Sequence, residues 1–399
     1  MKSNRRNFVK NTALAIGGLS LGPSLVSASN MQTSETLRVG VIGTGSRGKG
    51  LMHTLGKVGN FEVTACCDIL PFRLDEAREI APKAKKYKDY DKLLADKNID
   101  AVIIATPFGT HDEVALAAID AGKHIYCEKT MVRGMEEIQN VVTKASQSDK
   151  VFQTGHQYHS SPLYKNVREV IRGGYIGDIT AFVCQWNRNG DWRRPVPNPK
   201  FERIINWRMY KEHSGGLIAE LMAHQIDFIN WVLDEPPEKM VGFGGIDHWK
   251  DGRETYDNIH LMAEYPSKVD ATFSCTTTNG YEDYQVKILG QKATVLLGYN
   301  KATIYAEPSA LKEKGFVDGV SGATLKAWEQ GEGMTIPAPG DDPTVDALQQ
   351  FYNSVVNGEP VVSSLETGAN TSKCVQMALD AVHGGEIKYW KDYPELKFS

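Results

Sequence analysis

The chain has 399 residues, 41% hydrophobic and 24% charged, a composition typical of a globular protein that is long enough for two domains. Its formal net charge of −4 argues against nucleic acid or an anionic membrane as the main partner. Six cysteines lack the C-x-x-C spacing of zinc and thioredoxin-like sites, so we expect buried free thiols and no metal centre.

Residues 1–28 show the three-part pattern of a signal peptide. Arg5 and Arg6 precede a mild apolar stretch over 12–26, and small residues suited to cleavage end the segment. The paired arginines followed by x-Phe-Val-Lys resemble a twin-arginine export signal. A poorly ordered basic tail is the alternative. We expect an exported, periplasmic protein.

Short apolar runs alternate with polar, helix-favouring stretches over the next part of the chain. The runs predict five strands, at 37–42, 61–67, 101–106, 124–127 and 151–154, with helices at 73–80, 111–121 and 135–148. Such alternation is typical of a parallel sheet that is wound by right-handed crossovers. The pattern predicts an α/β, doubly wound domain over 36–157.

From residue 158 onward the pattern changes. It predicts helices at 163–172 and 216–232, and strands at 179–186, 259–265, 271–278 and 285–288. The stretch 307–345 is predicted as irregular loop, and a helix pair at 343–356 and 366–383 as the end of the chain. We expect a second domain, 158–399, of α+β type with a mostly antiparallel sheet.

A G-x-G-x-x-G motif directly follows the first predicted strand and opens a helix. Its residues are Gly43, Thr44, Gly45, Ser46, Arg47 and Gly48. In this βαβ context the glycines permit a tight turn, the approach of backbone N–H groups to a pyrophosphate and close helix packing, while the helix dipole favours the anion. The motif predicts a dinucleotide site; a glycine turn without a ligand is the alternative.

Asp68 ends the second predicted strand. A carboxylate there accepts a hydrogen bond from a ribose 2′-hydroxyl and repels a 2′-phosphate, which favours NAD over NADP. Arg47 and Arg73 lie near in sequence, so NADP stays possible.

Two further groups of residues carry chemistry. Glu128 and Lys129 follow the fourth predicted strand, where ligands of such sheets bind, so they are either part of a site or a local ion pair. Glu220, His224 and Asp227 share one stripe of the predicted helix 216–232. Acid, imidazole and acid at this spacing favour a site of proton transfer. The alternatives are a pair that stabilises the helix and a metal site, although three side chains on one stripe rarely enclose an ion.

The three motifs, in this order and at these intervals, resemble the Gfo/Idh/MocA oxidoreductase family, named for glucose–fructose oxidoreductase and inositol dehydrogenase. The resemblance covers the chain after Leu37. It implies a Rossmann domain followed by an α/β domain whose open sheet often forms an oligomer interface. It also implies hydride transfer between NAD(P) and a sugar or polyol carbon, so we expect a homo-oligomer with a small carbohydrate substrate.

By position, the resemblance makes Lys129 the lysine beside the nicotinamide and the reacting oxygen, and His224 the proton-transferring histidine. Glu220 stands where many members have aspartate, and Thr130 replaces the usual proline. We expect Lys129 to stabilise a developing alkoxide while neutral His224 takes the hydroxyl proton. Further cofactor contacts are predicted in the first domain at Thr106, Pro107, His111 and Glu128.

Aromatic and basic residues between the second and third motifs predict a carbohydrate site, since tryptophan faces suit the C–H faces of sugars and arginines suit hydroxyls or an anionic group. The candidate substrate contacts are Tyr158, Trp186, Arg193, Trp207, Arg208 and, on the predicted helix, Asp227. Packing at an interface is an equal alternative for any one of them.

Two activities fit these expectations. The first is an exported oxidoreductase whose tightly bound NAD is regenerated in place, for instance by a second sugar. The alternative is an NAD-dependent glycoside hydrolase that uses transient oxidation, elimination, water addition and re-reduction. The glycosidase branch of the family lacks this Glu-Lys pair, which favours the oxidoreductase. A non-catalytic sugar sensor is disfavoured because Lys129 and His224 are both present.

Overall fold

The computed structural model describes residues 35–307, 331, 333–338, 340 and 342–398. The predicted signal peptide, 1–28, lies outside the described residues, as does most of the loop predicted over 307–345. In the described part, no helix is both long and apolar enough to cross a membrane. All six cysteines are buried free thiols, as predicted.

The first sheet has six parallel strands in the order β3-β2-β1-β4-β5-β6. The strands are β1 (Leu37–Ile42), β2 (Phe61–Cys67), β3 (Lys85–Tyr87), β4 (Ala101–Ile104), β5 (His124–Cys127) and β6 (Phe152–Thr154). The helices between them are α1 (Ser46–Val58), α2 (Pro71–Ile80), α3 (Tyr90–Leu94), α4 (His111–Asp120) and α5 (Met135–Ser146). This is the doubly wound order, and it confirms the predicted Rossmann sheet; the order reverses between β1 and β4, where ligands bind.

Strand β3 and helix α3 are absent from the sequence prediction. The strand consists of Lys85-Lys86-Tyr87 at the edge of the sheet, and both lysines are exposed. Edge strands are often short and carry lysine, so they lack the apolar run by which an inner strand is recognised.

The second sheet has nine strands in the order β14-β13-β12-β11-β7-β10-β9-β8-β15. These are β7 (Ile179–Asn187), β8 (Lys239–Gly245), β9 (Asn258–Glu264), β10 (Asp270–Thr276), β11 (Tyr284–Gly290), β12 (Ala293–Leu297), β13 (Ala302–Ala306), β14 (Met334–Ile336) and β15 (Lys388–Tyr389). Every pairing is antiparallel except β10 with β7. The mostly antiparallel sheet is confirmed, although β14 falls inside the stretch predicted as loop.

One face of the second sheet is covered by helices. In β9, Ile259 and Leu261 are buried while His260 and Met262 are exposed, the alternation expected for a one-sided sheet. The buried face shares a core with α6 (Pro162–Arg172), α8 (Ala223–Leu233) and part of α10 (Leu365–Gly384).

The last two helices return to the first sheet. In α9 (Pro343–Asn357), Leu348 and Phe351 belong to the same apolar core as Val39 and Tyr126. Helix α10 packs against α5 as well as against the second sheet. The predicted boundary at residue 158 therefore does not separate the two cores. An apolar stripe predicts a helix, but it does not indicate which sheet that helix covers.

The helix predicted over 216–232 is not uniform. A π-helical segment, Ile218–Met222, precedes α8, and a four-residue helix, α7 (Glu202–Ile205), lies upstream in the chain. The π-helical segment changes the angular offset between residues on either side of it, which bears directly on the predicted site.

Candidate active site

A cavity of about 1180 Å³ lies between the two domains and is lined by residues of both. It brings together all but three of the predicted site residues. From the first domain these are Gly43, Gly45, Ser46, Arg47, Asp68, Arg73, Thr106, Pro107, His111, Glu128 and Lys129; from the second, Tyr158, Trp186, Arg193, Trp207, Arg208, Glu220 and His224. Thr44, Gly48 and Asp227 do not line it.

The glycine loop packs too closely against neighbouring backbone to carry side chains at Gly43 and Gly48, and Gly43 and Gly45 line the cavity. Gly43 has a φ of +89°, and a Cβ there would lie 2.6 Å from the Ala105 backbone. A Cβ on Gly48 would lie 1.9 Å from the Gly43 carbonyl oxygen, so α1 can approach β1 only with glycine at this position. The loop and the start of α1 thus fit a dinucleotide pyrophosphate.

Asp68 is held at the end of β2 by the loop itself. Its Oδ2 accepts a hydrogen bond from the Thr44 backbone N–H at 2.9 Å, and its Oδ1 accepts one from Leu70 N–H at 2.9 Å. Thr44 therefore acts through Asp68 rather than by facing the cavity. Arg73 Nη1 lies 3.8 Å from Asp68 Oδ2. A carboxylate and a guanidinium are therefore adjacent at the position where a dinucleotide of this fold would place a ribose.

Glu128 pairs with Arg47 rather than with its neighbour Lys129. Arg47 Nη2 and Nε lie 2.8 and 2.9 Å from Glu128 Oε1, and Glu128 is buried. The local Glu128–Lys129 ion pair considered from the sequence is therefore not formed.

Lys129 reaches across to the second domain. Its Nζ donates to the carbonyl oxygens of Glu220 at 3.0 Å and Ala219 at 3.4 Å, both in the π-helical segment. Thr130 Oγ1 donates to the same Ala219 carbonyl at 3.0 Å, and the Lys129–Thr130 peptide bond is cis. Burial lowers the pKa of Lys129, and the carboxylates of Glu220 and Glu128 oppose that shift.

Glu220 is an ionised acid at the edge of the cavity. Burial opposes its ionisation, but Arg208 and Lys129 together hold its pKa below the usual value. Arg208 Nε donates to Glu220 Oε2 at 2.7 Å, and the Arg208 guanidinium lies 4.3 Å from the centre of the Trp207 ring. Glu220 is thus tied to a substrate-side arginine.

His224 is neutral. Burial and the nearby Lys129 lower its pKa well below the usual value, and its buried Nδ1 has no hydrogen-bond partner among the described residues. Its ring lies 5.1 Å from the Tyr158 ring and 5.5 Å from the Trp186 ring. A neutral imidazole in an aromatic wall can accept a proton.

Asp227 corrects the predicted acid–imidazole–acid stripe. Its Oδ2 accepts from His159 Nε2 at 2.9 Å, its Oδ1 accepts from Thr371 Oγ1 at 3.0 Å, and the side chain is buried behind the cavity. Asp227 follows His224 by three residues within the regular helix α8, so the two side chains differ by about 60° in direction around the helix axis, and that of Asp227 is directed to His159. We therefore assign it a structural contact, not a substrate contact.

Among the predicted substrate contacts, Arg193 differs from the rest. It lines the cavity, but its guanidinium contacts Glu202 and lies 3.0 Å from Asp251. Because two carboxylates already neutralise it, Arg193 supports the loop more than it offers a charge to a ligand.

Sequence reasoning missed several parts of the wall, and two of them lie late in the chain. Tyr299 and Asn300 come from the turn between β12 and β13, and Asp342 with Thr344 from the start of α9. The Tyr299 ring stacks on Tyr284 at 4.6 Å. Neither segment carries a motif, so no signal in a single sequence marks them. No group of three or more His, Cys, Asp or Glu in the described part is placed to hold a metal ion.

A doubly wound domain with a glycine phosphate loop, joined to a one-sided sheet that supplies an acid and an imidazole to the same cavity, defines a two-domain, dinucleotide-binding oxidoreductase. Residues 37–156 match the family model described as an oxidoreductase family with an NAD-binding Rossmann fold, and residues 164–296 match the GFO/IDH/MocA C-terminal domain. Together the two matches cover well over half of the chain. The chain belongs to the Gfo/Idh/MocA family of oxidoreductases.

Several characterised proteins are similar to it. Myo-inositol 2-dehydrogenase of Thermotoga maritima is 24% identical over 83% of this chain and 92% of its own length. Levoglucosan dehydrogenase of Pseudarthrobacter phenanthrenivorans is 26% identical over 91% and 99%. The 2,7-anhydro-N-acetylneuraminate hydratase of Escherichia coli is 29% identical over 65% and 67%.

Solved structures share the fold. A levoglucosan dehydrogenase in complex with NADH and levoglucosan has a TM-score of 0.73 at 21% identity and covers 90% of this chain and all of its own. An oxidoreductase from Thermotoga maritima has a TM-score of 0.74 at 17% identity over the same shares.

Proposed function

We propose that the protein oxidises a hydroxyl-bearing carbon of a sugar, polyol or glycoside and passes the hydride to NAD. One observation carries the proposal: Lys129 from the first domain and His224 from the second line the same cavity as the glycine loop. Relatives named as inositol and levoglucosan dehydrogenases support the substrate class.

The cofactor would be held by the first domain. The loop 43–48 offers backbone N–H groups to the pyrophosphate, and Asp68 offers a carboxylate to a ribose hydroxyl, which favours NAD. Arg73 beside it keeps NADP possible. Thr106, Pro107 and His111 line the cavity after β4, toward Lys129. When bound, the nicotinamide supplies the hydride acceptor.

The chain's own residues move the proton and stabilise charge. Neutral His224 can take the hydroxyl proton of the substrate. Of the three N–H donors of the Lys129 ammonium, two are aimed at carbonyls in the π-helical segment, which leaves one for the reacting oxygen. This donor stabilises the negative charge that develops as the proton leaves. Glu220 favours the protonated form of Lys129, against its burial.

The walls of the cavity suit a carbohydrate. Trp207 and Trp186 offer aromatic surface, and Arg208, stacked on Trp207, offers N–H donors to hydroxyls. We infer that these residues orient the sugar, whose identity and oxidised carbon would follow from the arrangement of its hydroxyls.

A second candidate is redox-neutral. One relative is named as a hydratase, a class of enzyme that adds or removes water without net oxidation. The same lysine and histidine would serve transient oxidation followed by elimination and water addition in a glycoside hydrolase that returns its NAD unchanged.

Incubation of the purified protein and NAD with a panel of free sugars and aryl glycosides separates the two activities. Net reduction of nicotinamide, followed by its absorbance, without released aglycone supports the dehydrogenase. Release of aglycone without net reduced cofactor supports the hydrolase. Absence of both across the panel would contradict the proposed substrate class.

We also propose that the protein is exported to the periplasm with its NAD tightly bound. The twin-arginine-like segment supports this, because that route is expected to move proteins that are already folded. In cell fractionation, the double substitution Arg5→Lys and Arg6→Lys should retain the protein in the cytoplasm, whereas Lys2→Arg should leave export unchanged. Unaltered export of the double variant would contradict the proposal.

A further inference from the structure

A loop of the second domain reaches the phosphate loop of the first. Arg194 Nη1 donates to Ser46 Oγ at 2.7 Å, joining residues that lie 148 positions apart in the chain. Both residues line the cavity, Ser46 at the start of α1. The contact therefore lies where the glycine loop presents its N–H groups.

Arg194 differs from the other arginines of the cavity in its charge balance. Arg47 pairs with Glu128, Arg208 with Glu220, and Arg193 with two acids. In the part of the chain that the structure describes, Arg194 forms no ion pair with a carboxylate. Its charged neighbours are Arg208 and Arg73, which together with burial lower its pKa. An uncompensated cation among cations is poised for an anionic ligand.

The loop is built to hold Arg194 in this position. The buried amide of Asn206 bonds the Arg194 backbone twice: Oδ1 accepts from its N–H at 2.7 Å, and Nδ2 donates to its carbonyl at 3.1 Å. The adjacent Arg193 is fixed by Glu202 and Asp251. A long side chain that starts from a fixed backbone loses less entropy when it binds a ligand.

We propose that Arg194 binds the pyrophosphate of the dinucleotide from the second domain, opposite the glycine loop, and so retains the cofactor between the two domains. The inference rests on the proposed function and extends it. A guanidinium can form two parallel hydrogen bonds with phosphate oxygens, which a neutral loop residue cannot. The cofactor can then leave only after Arg194 has lost its contact with the pyrophosphate.

Binding measurements test the proposal without any assay of catalysis. Dissociation constants for NAD, ADP-ribose and adenosine are measured by calorimetry on the full chain and on Arg194→Ala, Arg194→Lys and Arg203→Ala. The last is a matched control, because Arg203 is exposed, belongs to the same part of the second domain and does not line the cavity.

We expect Arg194→Ala to weaken the binding of NAD and ADP-ribose by roughly tenfold or more, because a charge-assisted hydrogen bond is lost. Arg194→Lys should weaken their binding less. Adenosine, which has no phosphate, should bind equally to all variants, and this also reports an intact fold. Unchanged affinity of Arg194→Ala for ADP-ribose, or an equal loss for adenosine, would overturn the proposal. Failure of the wild-type protein to bind NAD would overturn the proposed function as well.

Discussion

Burial sets the protonation of the two groups that face each other across the domains. The pKa values of His224 and Lys129 are both lowered. The imidazole is therefore neutral, and the Lys129 ammonium loses its proton at a lower pH than a free lysine does. Because His224 stays deprotonated at lower pH, the range of activity extends further on its acid side. Because Lys129 loses its proton at lower pH, the range ends earlier on its alkaline side.

The pH dependence of kcat/KM tests this balance. His224 should remain a competent base as the pH falls through 6.5, so the acid limb should lie below that value. Lys129 should lose its proton at a pH below 10.5, so the alkaline limb should lie below that value. Steady-state kinetics across the pH range locate both limbs. An acid limb at or above 6.5 would contradict a neutral, buried base.

For single residues, the sequence shows which side chains are present and which are neighbours in the chain, but it does not show their hydrogen-bond partners from distant parts of the chain. Lys129 and His224 could be predicted because each belongs to a motif. The partners of Asp227 could not, because His159 and Thr371 lie 68 and 144 positions away. Arg193 and Arg194 are neighbours with different roles, and only the acids around Arg193 distinguish them.

The glycine loop and α1 provide a test at the scale of the element. Gly48→Ala should weaken NAD binding and lower the thermal unfolding temperature, because its Cβ would collide with the Gly43 carbonyl and push α1 away from β1. Gly50→Ala on the same helix is the matched control: nothing lies within 4 Å of its Cβ, so the stability should be equal or slightly higher. Calorimetry and thermal melts compare the two. Equal behaviour of both variants would show that the close approach is unimportant.

Elements with a strong apolar pattern could be predicted, and those without one could not. The five predicted strands of the first sheet were found to within a few residues, including the three-residue edge strand β6, whereas β3 and β14, equally short and at sheet edges, lie in polar or Gly- and Pro-rich stretches and were missed. The π-helical segment has the same composition as an α-helix. The changed angular offset between Glu220, inside this segment, and His224, after it, therefore becomes apparent only in three dimensions.

At the scale of the whole molecule, the open face of the second sheet carries a group of exposed apolar side chains. Val183 and Met262 are 41% and 53% exposed, and both pair with Thr272 in register, so they lie in one row across the sheet. Phe243, 71% exposed, lies on the neighbouring strand β8. Exposed apolar patches of this kind are typical of protein interfaces, and on this ground we propose that the chain forms the homo-oligomer expected from the family resemblance.

A charge in that row should separate the subunits of the proposed homo-oligomer. We expect Met262→Glu to shift the molar mass toward that of a single chain in size-exclusion chromatography with light scattering. His53→Glu, which adds the same charge on the exposed side of α1, should leave the mass unchanged. A wild-type protein that is already a monomer would contradict the prediction.

The meeting of Lys129 and His224 in one cavity is tested most directly by rapid mixing of NAD-loaded protein with the carbohydrate panel, followed by nicotinamide absorbance in a single turnover. We predict reduction by the wild-type protein and a rate lower by about 10²-fold or more in both Lys129→Ala and His224→Ala, with NAD affinity retained. Reduction at the wild-type rate by both variants would contradict the account.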